Sequence, residues 1–200
     1  MGKFVYIHCN TQTDWKSIQK SISQILGESD DQYIQSSSNE LIWIRGASGI
    51  QIDQFSIATG GLQVNPIDTL EYFSFKLLVN KNEVKLISDE CASRTVWYIQ
   101  YKKQLIVSSS QRVIISLLGS YKRNPQAISW MFTTGCLGPN NAWDKRIKHL
   151  IPSSQVIFNK QTCTIKEKTH TYNSDNSKNE LSEVFDDVFD MLPKYDSNIG

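Results

Sequence analysis

The sequence predicts an α+β fold in which two antiparallel sheets stack face to face with helices outside. Three observations point there. Between Leu41 and Ser109 almost every segment is strand-like and is bounded by hairpin-type turns. Helical spacing flanks that run on both sides, and a final hairpin, Gln155 to Asn159 with Cys163 to Lys168, follows. Two hundred residues suffice for one such core, and 40% hydrophobic and 10% aromatic content is that of an ordinary globular chain.

Lys3 to His8 is a short β-rich run suited to a buried strand. Trp15, Ile18, Ile22, Ile25 and Leu26 then recur at helical spacing, with Thr13 or Asp14 available as the cap and Gly27 as the stop. Strands are expected at Leu41 to Arg45, Ile50 to Ala58, Tyr72 to Val79, Val84 to Ser88, Thr95 to Tyr101 and Leu105 to Ser109. Gly46 to Gly49, Gly60-Gly61, Asn80-Lys81-Asn82 and Lys102-Lys103 supply the residues that tight reversals need. Trp97 and Tyr98 are neighbours on one strand, so they point to opposite faces, and both should be buried in a doubly covered sheet. Helices return at Gln111 to Leu118 and at Pro125 to Phe132, where Pro125 suits a first turn. The last hairpin turns around Lys160-Gln161-Thr162.

Residues 1 to 172 are expected to form this domain. The polar run at 173 to 179 reads as a linker. Glu180 to Leu192 then reads as a helix with Leu181, Val184, Phe185, Val188, Phe189 and Leu192 on one face. Such a stripe implies a partner surface, either on this domain or on something that follows it.

Lys plus Arg (21) balance Asp plus Glu (20), so no overall field directs the chain to nucleic acid or to an anionic membrane. The short basic clusters Lys102-Lys103, Lys122-Arg123 and Lys145-Arg146-Lys148 read as solvated surface. There is no signal-peptide pattern and no apolar run approaching the ~20 residues of a membrane span. Cys9, Cys91, Cys136 and Cys163 lie far apart, without C-x-x-C pairing or metal-ligand spacing. A cytoplasmic protein with free thiols and no bound metal is the expectation.

The familiar catalytic motifs G-x-S-x-G, H-E-x-x-H, G-x-x-x-x-G-K-[ST] and G-x-G-x-x-G are absent. His8, His149 and His170 cannot be matched to a particular Ser or Cys and read as structural or surface residues. Cys9 ends the first strand, where a nucleophile could be presented, but a small buried hydrophobe is the commoner fate of a free cysteine there. Asp30-Asp31 and Asp186-Asp187 read as solvated faces.

The stretch from Phe73 to Leu118 resembles the second half of the glutaminase domain of the asparagine synthetase family. That family carries two strands, an R-D-x-x-G-x-x-P-L-Y-Y turn and strand, then F-A-S-E and a short helix. Here Phe73 to Leu77 and Val84 to Ser88 supply the two strands. Asp89-Glu90-Cys91-Ala92-Ser93-Arg94-Thr95-Val96-Trp97-Tyr98 stands where the turn and aromatic strand would be, and Val107-Ser108-Ser109-Ser110 stands for F-A-S-E. Downstream, Pro125 to Met131 looks like the family helix ending in a glycine, here Gly135. Leu137-Gly138-Pro139 is similar to the following loop, and Leu150 to Ser154 to the L-P-P-G turn. Order and spacing hold over about half the chain.

The resemblance implies an N-terminal-nucleophile (Ntn) hydrolase-like four-layer sandwich of the class II glutamine amidotransferase type. In working members a cysteine follows the initiator methionine, and its α-amine serves as base for its own thiol. Gly2 stands at that position here. The glutamine-binding segments N-G-E-I-Y-N and G-x-D-T-E have no counterpart between Gly46 and Tyr72, and no role carries onto Arg45. β-Lactam synthetases and lasso-peptide cyclases share these losses; there the synthetase domain adenylates a carboxylate with ATP, and an amine attacks it.

The resemblance thus implies a non-catalytic glutaminase-like domain of an ATP-dependent amide-forming ligase, with no catalytic, cofactor-binding or metal residue in this chain. ATP and Mg are implied for an adjoining synthetase domain, engaged in cis or in trans through the Leu181 to Leu192 helix. The S-G-G-x-D-S phosphate loop of that domain is not in this sequence, although Asp196 to Gly200 resembles the lead into it. Two other readings stay open. One is an active amidotransferase, processed to expose Cys9, although Asn10-Thr11 follows in place of the expected G-I-x-G. The other is a free-standing interaction module that uses the Leu181 to Leu192 face. A homo-oligomer is compatible with each.

Overall fold

In the computed structural model, residues 3–11, 13–27, 32–46, 50–53, 56–60, 73–89, 92 and 94–169 are described. Their elements, in chain order, are β1 (Lys3–Cys9), α1 (Trp15–Leu26), β2 (Gln32–Ser36), β3 (Glu40–Arg45), β4 (Ile50–Asp53), β5 (Ser56–Gly60), β6 (Phe73–Val79), β7 (Glu83–Ser88), β8 (Trp97–Tyr101), β9 (Gln104–Ser108), α2 (Gln111–Leu118), α3 (Pro125–Thr134), β10 (Lys148–His149), β11 (Ser154–Asn159) and β12 (Thr164–Thr169). They form two sheets, ordered β10-β8-β9-β1-β3-β2 and β12-β11-β7-β6-β5-β4. Every pairing is antiparallel.

The sheets pack face to face. Phe4, Tyr6 and Ile44 of the first sheet share one apolar core with Phe75, Leu77, Leu86, Val156 and Phe158 of the second. The Phe4 and Phe75 rings stack at 5.1 Å across that layer. On the far side of the first sheet, Val5, Ile7, Cys9 and Trp43 meet Ile22 and Leu26 of α1 and Val113 and Ile114 of α2. Three layers are therefore described: helices, sheet, sheet. The anticipated fourth layer is not among the described residues, nor are the linker at 173–179 and the helix expected from Glu180.

Local chemistry explains the helix ends. Asp14 caps α1 by accepting from the backbone N–H groups of Lys16 and Ser17, whereas the Thr13 hydroxyl donates to the Thr11 carbonyl. Asn124 does the same for α3, accepting from Gln126 and Ala127, with Pro125 in the first turn. At the end of α1 the Arg45 guanidinium donates to the Leu26 carbonyl. Gly27 has φ of +83°, a backbone conformation that L side chains rarely adopt, so the site takes glycine.

The structure corrects several expectations. Ile50 to Ala58 is not one strand: β4 and β5 are a hairpin with Asp53 opposite Ser56, because Asp favours a reversal over a ladder. Gly60 ends β5 at a register shift. β2 and β10 were not anticipated, since Gln32–Ser36 lacks apolar alternation and β10 has two residues. Lys102 and Lys103 do form the expected tip, with φ of +47° and +65°, the two left-handed positions of a hairpin turn that Asn-Gly more often fills. Among the described residues no helix is long and apolar enough to cross a membrane.

Trp97 and Tyr98 are both buried, at 8% and 3% exposure, and belong to the helix-side and the inter-sheet core respectively. Trp97→Ala is therefore expected to destabilise the protein by about 3–5 kcal/mol. Urea denaturation checks this, as a lower midpoint at unchanged slope; an unchanged midpoint would contradict the packing described here.

Candidate functional site

Polar side chains gather at both ends of β1. At its amino end, the Phe4 N–H donates to Ser109 Oγ (3.1 Å), and the Phe4 carbonyl accepts from the Ser109 N–H (3.2 Å) and the Ser108 hydroxyl (3.1 Å). Across the inter-sheet layer, the Ser88 hydroxyl donates to the Ile151 carbonyl (2.6 Å) and accepts from the Ser154 N–H (3.0 Å). The Ser153 N–H donates to the Asp89 carbonyl (2.9 Å), and the Leu150 N–H to that of Val96 (2.9 Å). Asp89 and Val96 are thus tied to the Leu150 to Ser154 turn, Trp97 is paired with Ser108, and Ser108 and Ser109 hold Phe4 at the start of β1.

These serine hydroxyls bond to backbone groups and, among the described residues, have no histidine as partner. His149 is registered opposite Trp97, and Trp97 opposite Ser108, so His149 and Ser108 stand two strands, about 10 Å, apart with Trp97 between them. The His149 ring packs on Trp97 at 4.8 Å, and burial lowers its pKa. Gly2, Cys91 and His170 lie outside the described residues.

At the carboxyl end of β1 a different group assembles. Strand alternation turns Tyr6 and His8 toward the second sheet, with Asn10 just beyond. Glu40 Oε1 accepts from the Tyr6 hydroxyl (3.0 Å), lies 3.3 Å from His8 Nδ1 and pairs with Lys160 Nζ at 2.5 Å. His8 Nε2 is 2.8 Å from Asn10 Oδ1, and Asn10 Nδ2 donates to Cys163 Sγ (2.9 Å) and the Lys160 carbonyl (3.2 Å). Lys160 also donates to the carbonyls of Asn80 (2.5 Å, through Nζ) and Asn82 (2.9 Å, through N–H). The knot joins β1 and β3 of one sheet to the β11–β12 and β6–β7 tips of the other.

Its electrostatics favour holding over proton transfer. Burial pushes the Glu40 carboxyl up, but hydrogen bonds from His8, Lys160 and Tyr6 and the charge of Lys160 outweigh it and bring the pKa to about 2. Burial, and then the Glu40 charge, pushes the Tyr6 phenol well above its ordinary value. Neither group titrates near neutrality, where a general acid or base works best. Sequence reasoning placed His8 but not Glu40, Lys160 or Asn10. The period-two succession Tyr6, His8, Asn10 was the signal available for the β1 side.

Another carboxylate, Asp144, is fully enclosed. Burial raises its pKa, yet the Arg146 guanidinium and the N–H groups of Lys122 and Arg146 bring it to about 2. It fastens residues 120–124 to 144–146.

Cys9 is 1% exposed in the helix-side core, on the opposite face of β1 from His8. Burial raises its thiol pKa despite a hydrogen bond with Thr13, the reverse of what activates a nucleophile. Cys163 is buried in the inter-sheet core, and Cys136 is exposed after α3. Among the described residues, no three His, Cys, Asp or Glu side chains converge as metal ligands. No family model matches the chain, and no curated protein matches it.

Because the folded-state pKa of Glu40 is depressed, its contribution to stability is present above the ordinary carboxylate value and is lost as pH falls from about 4.5 toward 2. Allowing for partial exposure, that contribution is about 2 kcal/mol. Stability measured from pH 7 to pH 2 is expected to fall less steeply in Glu40→Gln than in the parent. Parallel profiles would show that Glu40 is not held by these donors.

Proposed function

We propose that this chain is the non-catalytic, glutaminase-like domain of an ATP-dependent amide-forming ligase of the asparagine synthetase type, with an Ntn-type sandwich as its fold. One observation carries the reading. The three segments that bear the resemblance, 89–98, 107–110 and 150–154, are far apart in sequence yet bonded to one another or to Phe4 at the start of β1. That is where a strand-initial nucleophile would stand, and the sequence has Gly2 there. Glycine has no side chain to attack with, and the neighbouring hydroxyls bond to backbone groups. The domain then acts as a wall and scaffold. ATP, Mg and the phosphate loop belong to the adjoining synthetase domain, and no residue of this chain is assigned to them.

The processed-amidotransferase reading fits less well. Exposing Cys9 as a new amino terminus would remove Phe4, Val5, Tyr6, Ile7 and His8, all buried in an interior strand of the first sheet.

Incubation of the purified chain with glutamine is expected to release no glutamate above the buffer rate. Turnover that disappears in Cys9→Ala would overturn the proposal in favour of a processed amidotransferase. Reading the gene beyond the codon for Gly200, and the genes beside it, should reveal the S-G-G-x-D-S loop in cis or in trans. Its absence from both would leave an interaction module as the better account.

A further inference from the structure

Charge is unevenly spread along this chain. Between Trp97 and Leu150 eight Lys and Arg stand against one carboxylate, Asp144, which is enclosed and taken by Arg146. The chain as a whole carries only +1, so the balancing acid lies elsewhere. Much of it falls in residues 170–200, where seven Asp and Glu stand against Lys178 and Lys194.

The fold gathers the cations. The Lys145 N–H donates to the Lys122 carbonyl, and Arg123 is backbone-paired with Asp144, so Lys122, Arg123, Lys145 and Arg146 cluster at the amino end of α3. The Arg146 guanidinium lies 6.0 Å from the centre of the Tyr101 ring, beside the Lys102-Lys103 tip. Lys102, Lys122, Arg123 and Lys145 are exposed, and among the described residues no carboxylate pairs with them. α3 itself is thinly covered, with Ala127 its one buried residue. Ile128, Met131 and Phe132, at i, i+3 and i+4, share a face on which Phe132 is 86% exposed. An apolar helix face thus begins beside a cationic cluster.

We propose that the amphipathic segment Glu180 to Leu192 docks on α3 of the same chain, its apolar stripe against Ile128, Met131 and Phe132 and its flanking carboxylates near Lys122, Arg123 and Lys145. Three observations select that occupant. The segment carries an apolar stripe in need of a partner, with Glu180, Glu183, Asp186, Asp187 and Asp190 on its remaining face. Its charge is opposite to that of the surface, which favours encounter and fixes register. The chain also leads to it from the right place. Glu167 of β12 accepts from the Tyr98 hydroxyl (3.0 Å) and pairs with Lys148 (2.6 Å), so β12 lies against the cationic end of the first sheet. Four residues separate Lys148 from Asp144, the partner of Arg123 beside α3, and residues 170–179 can span up to about 33 Å. A nucleic acid would use the cations but leave the α3 face uncovered. The inference does not depend on whether a synthetase domain follows.

Hydrogen exchange on the full chain tests this first. Residues 181–192 are expected to be protected, and Phe132→Asp to speed their exchange about tenfold or more while β1 and β9 keep theirs. Lys122→Glu combined with Arg123→Glu should speed it about fivefold. A second measurement is independent of exchange rates. With Cys91 and Cys136 replaced by serine, Phe132→Cys is combined in turn with Val184→Cys, Val188→Cys and Leu192→Cys. On mild oxidation at least one pair is expected to form a disulfide within a single chain, seen by mass spectrometry as a linked peptide. Position 132 is exposed, so neither substitution there disturbs a core. Free exchange of 181–192 in the parent, or protection indifferent to Phe132→Asp, would overturn the inference. So would the failure of every pair to link, or linkage found only between chains, which would assign the surface to a second copy.

Discussion

The whole arrangement depends on one strand being buried on both faces. From Phe4 to Cys9 every residue of β1 is buried, Phe4, Tyr6 and His8 toward the second sheet and Val5, Ile7 and Cys9 toward the helices. The register with β3 and β9 makes this possible, because a slip of one residue would send Phe4 into the helix layer and Val5 into the inter-sheet core. Fully burying an aliphatic or aromatic side chain is worth about 1.5–3 kcal/mol, against about 1–2 kcal/mol to order a backbone residue. A strand that buried only one face would barely break even. β8 follows the same logic one strand pair away, with Trp97 on one side and Tyr98 on the other.

Double burial leaves the layer open at its ends, and the chain closes it with polar groups that answer one another. Glu40 gathers Tyr6, His8 and Lys160 at one end; serine hydroxyls hold backbone groups at the other. Asp144 repeats the device beside α3, taking the Arg146 guanidinium and backbone donors. An enclosed carboxylate is tolerable only when donors replace the water it lost, and removing one partner costs more than the pair contributes. Groups so committed have little left to offer a substrate, so the polar ends of this sandwich act first as seals.

What could be read from the sequence, and what could not, divides along physical lines. Helices α1 and α2 were legible because apolar spacing and a stop glycine agree, and β6 to β9 because apolar runs end in recognisable turns. β2 was not legible. An edge strand has one neighbour, and its residues answer to little beyond the backbone ladder, so Gln32–Ser36 carries no pattern. The Glu40–Lys160 pair was hidden for another reason: its members are 120 residues apart, on different sheets, and meet only because the two sheets stack face to face. Cys9 shows the limit of position as evidence, since a strand end is an exposed platform in one sheet and the floor of a helix layer in another.

Among the described residues of β1, burial begins at Phe4. The two cores and the serine clasp of the strand, among the described residues, involve Phe4 and later residues, and its register on β3 begins one residue earlier, with Lys3 opposite Arg45. Hydrolysis requires a bound substrate and donors aimed at the developing oxyanion. The Ser108 and Ser109 hydroxyls at the start of β1 already bond to the Phe4 backbone. Under the glutaminase-like reading proposed above, a thiol supplied at position 2 would meet serine hydroxyls already committed to the Phe4 backbone, and so would gain little from them.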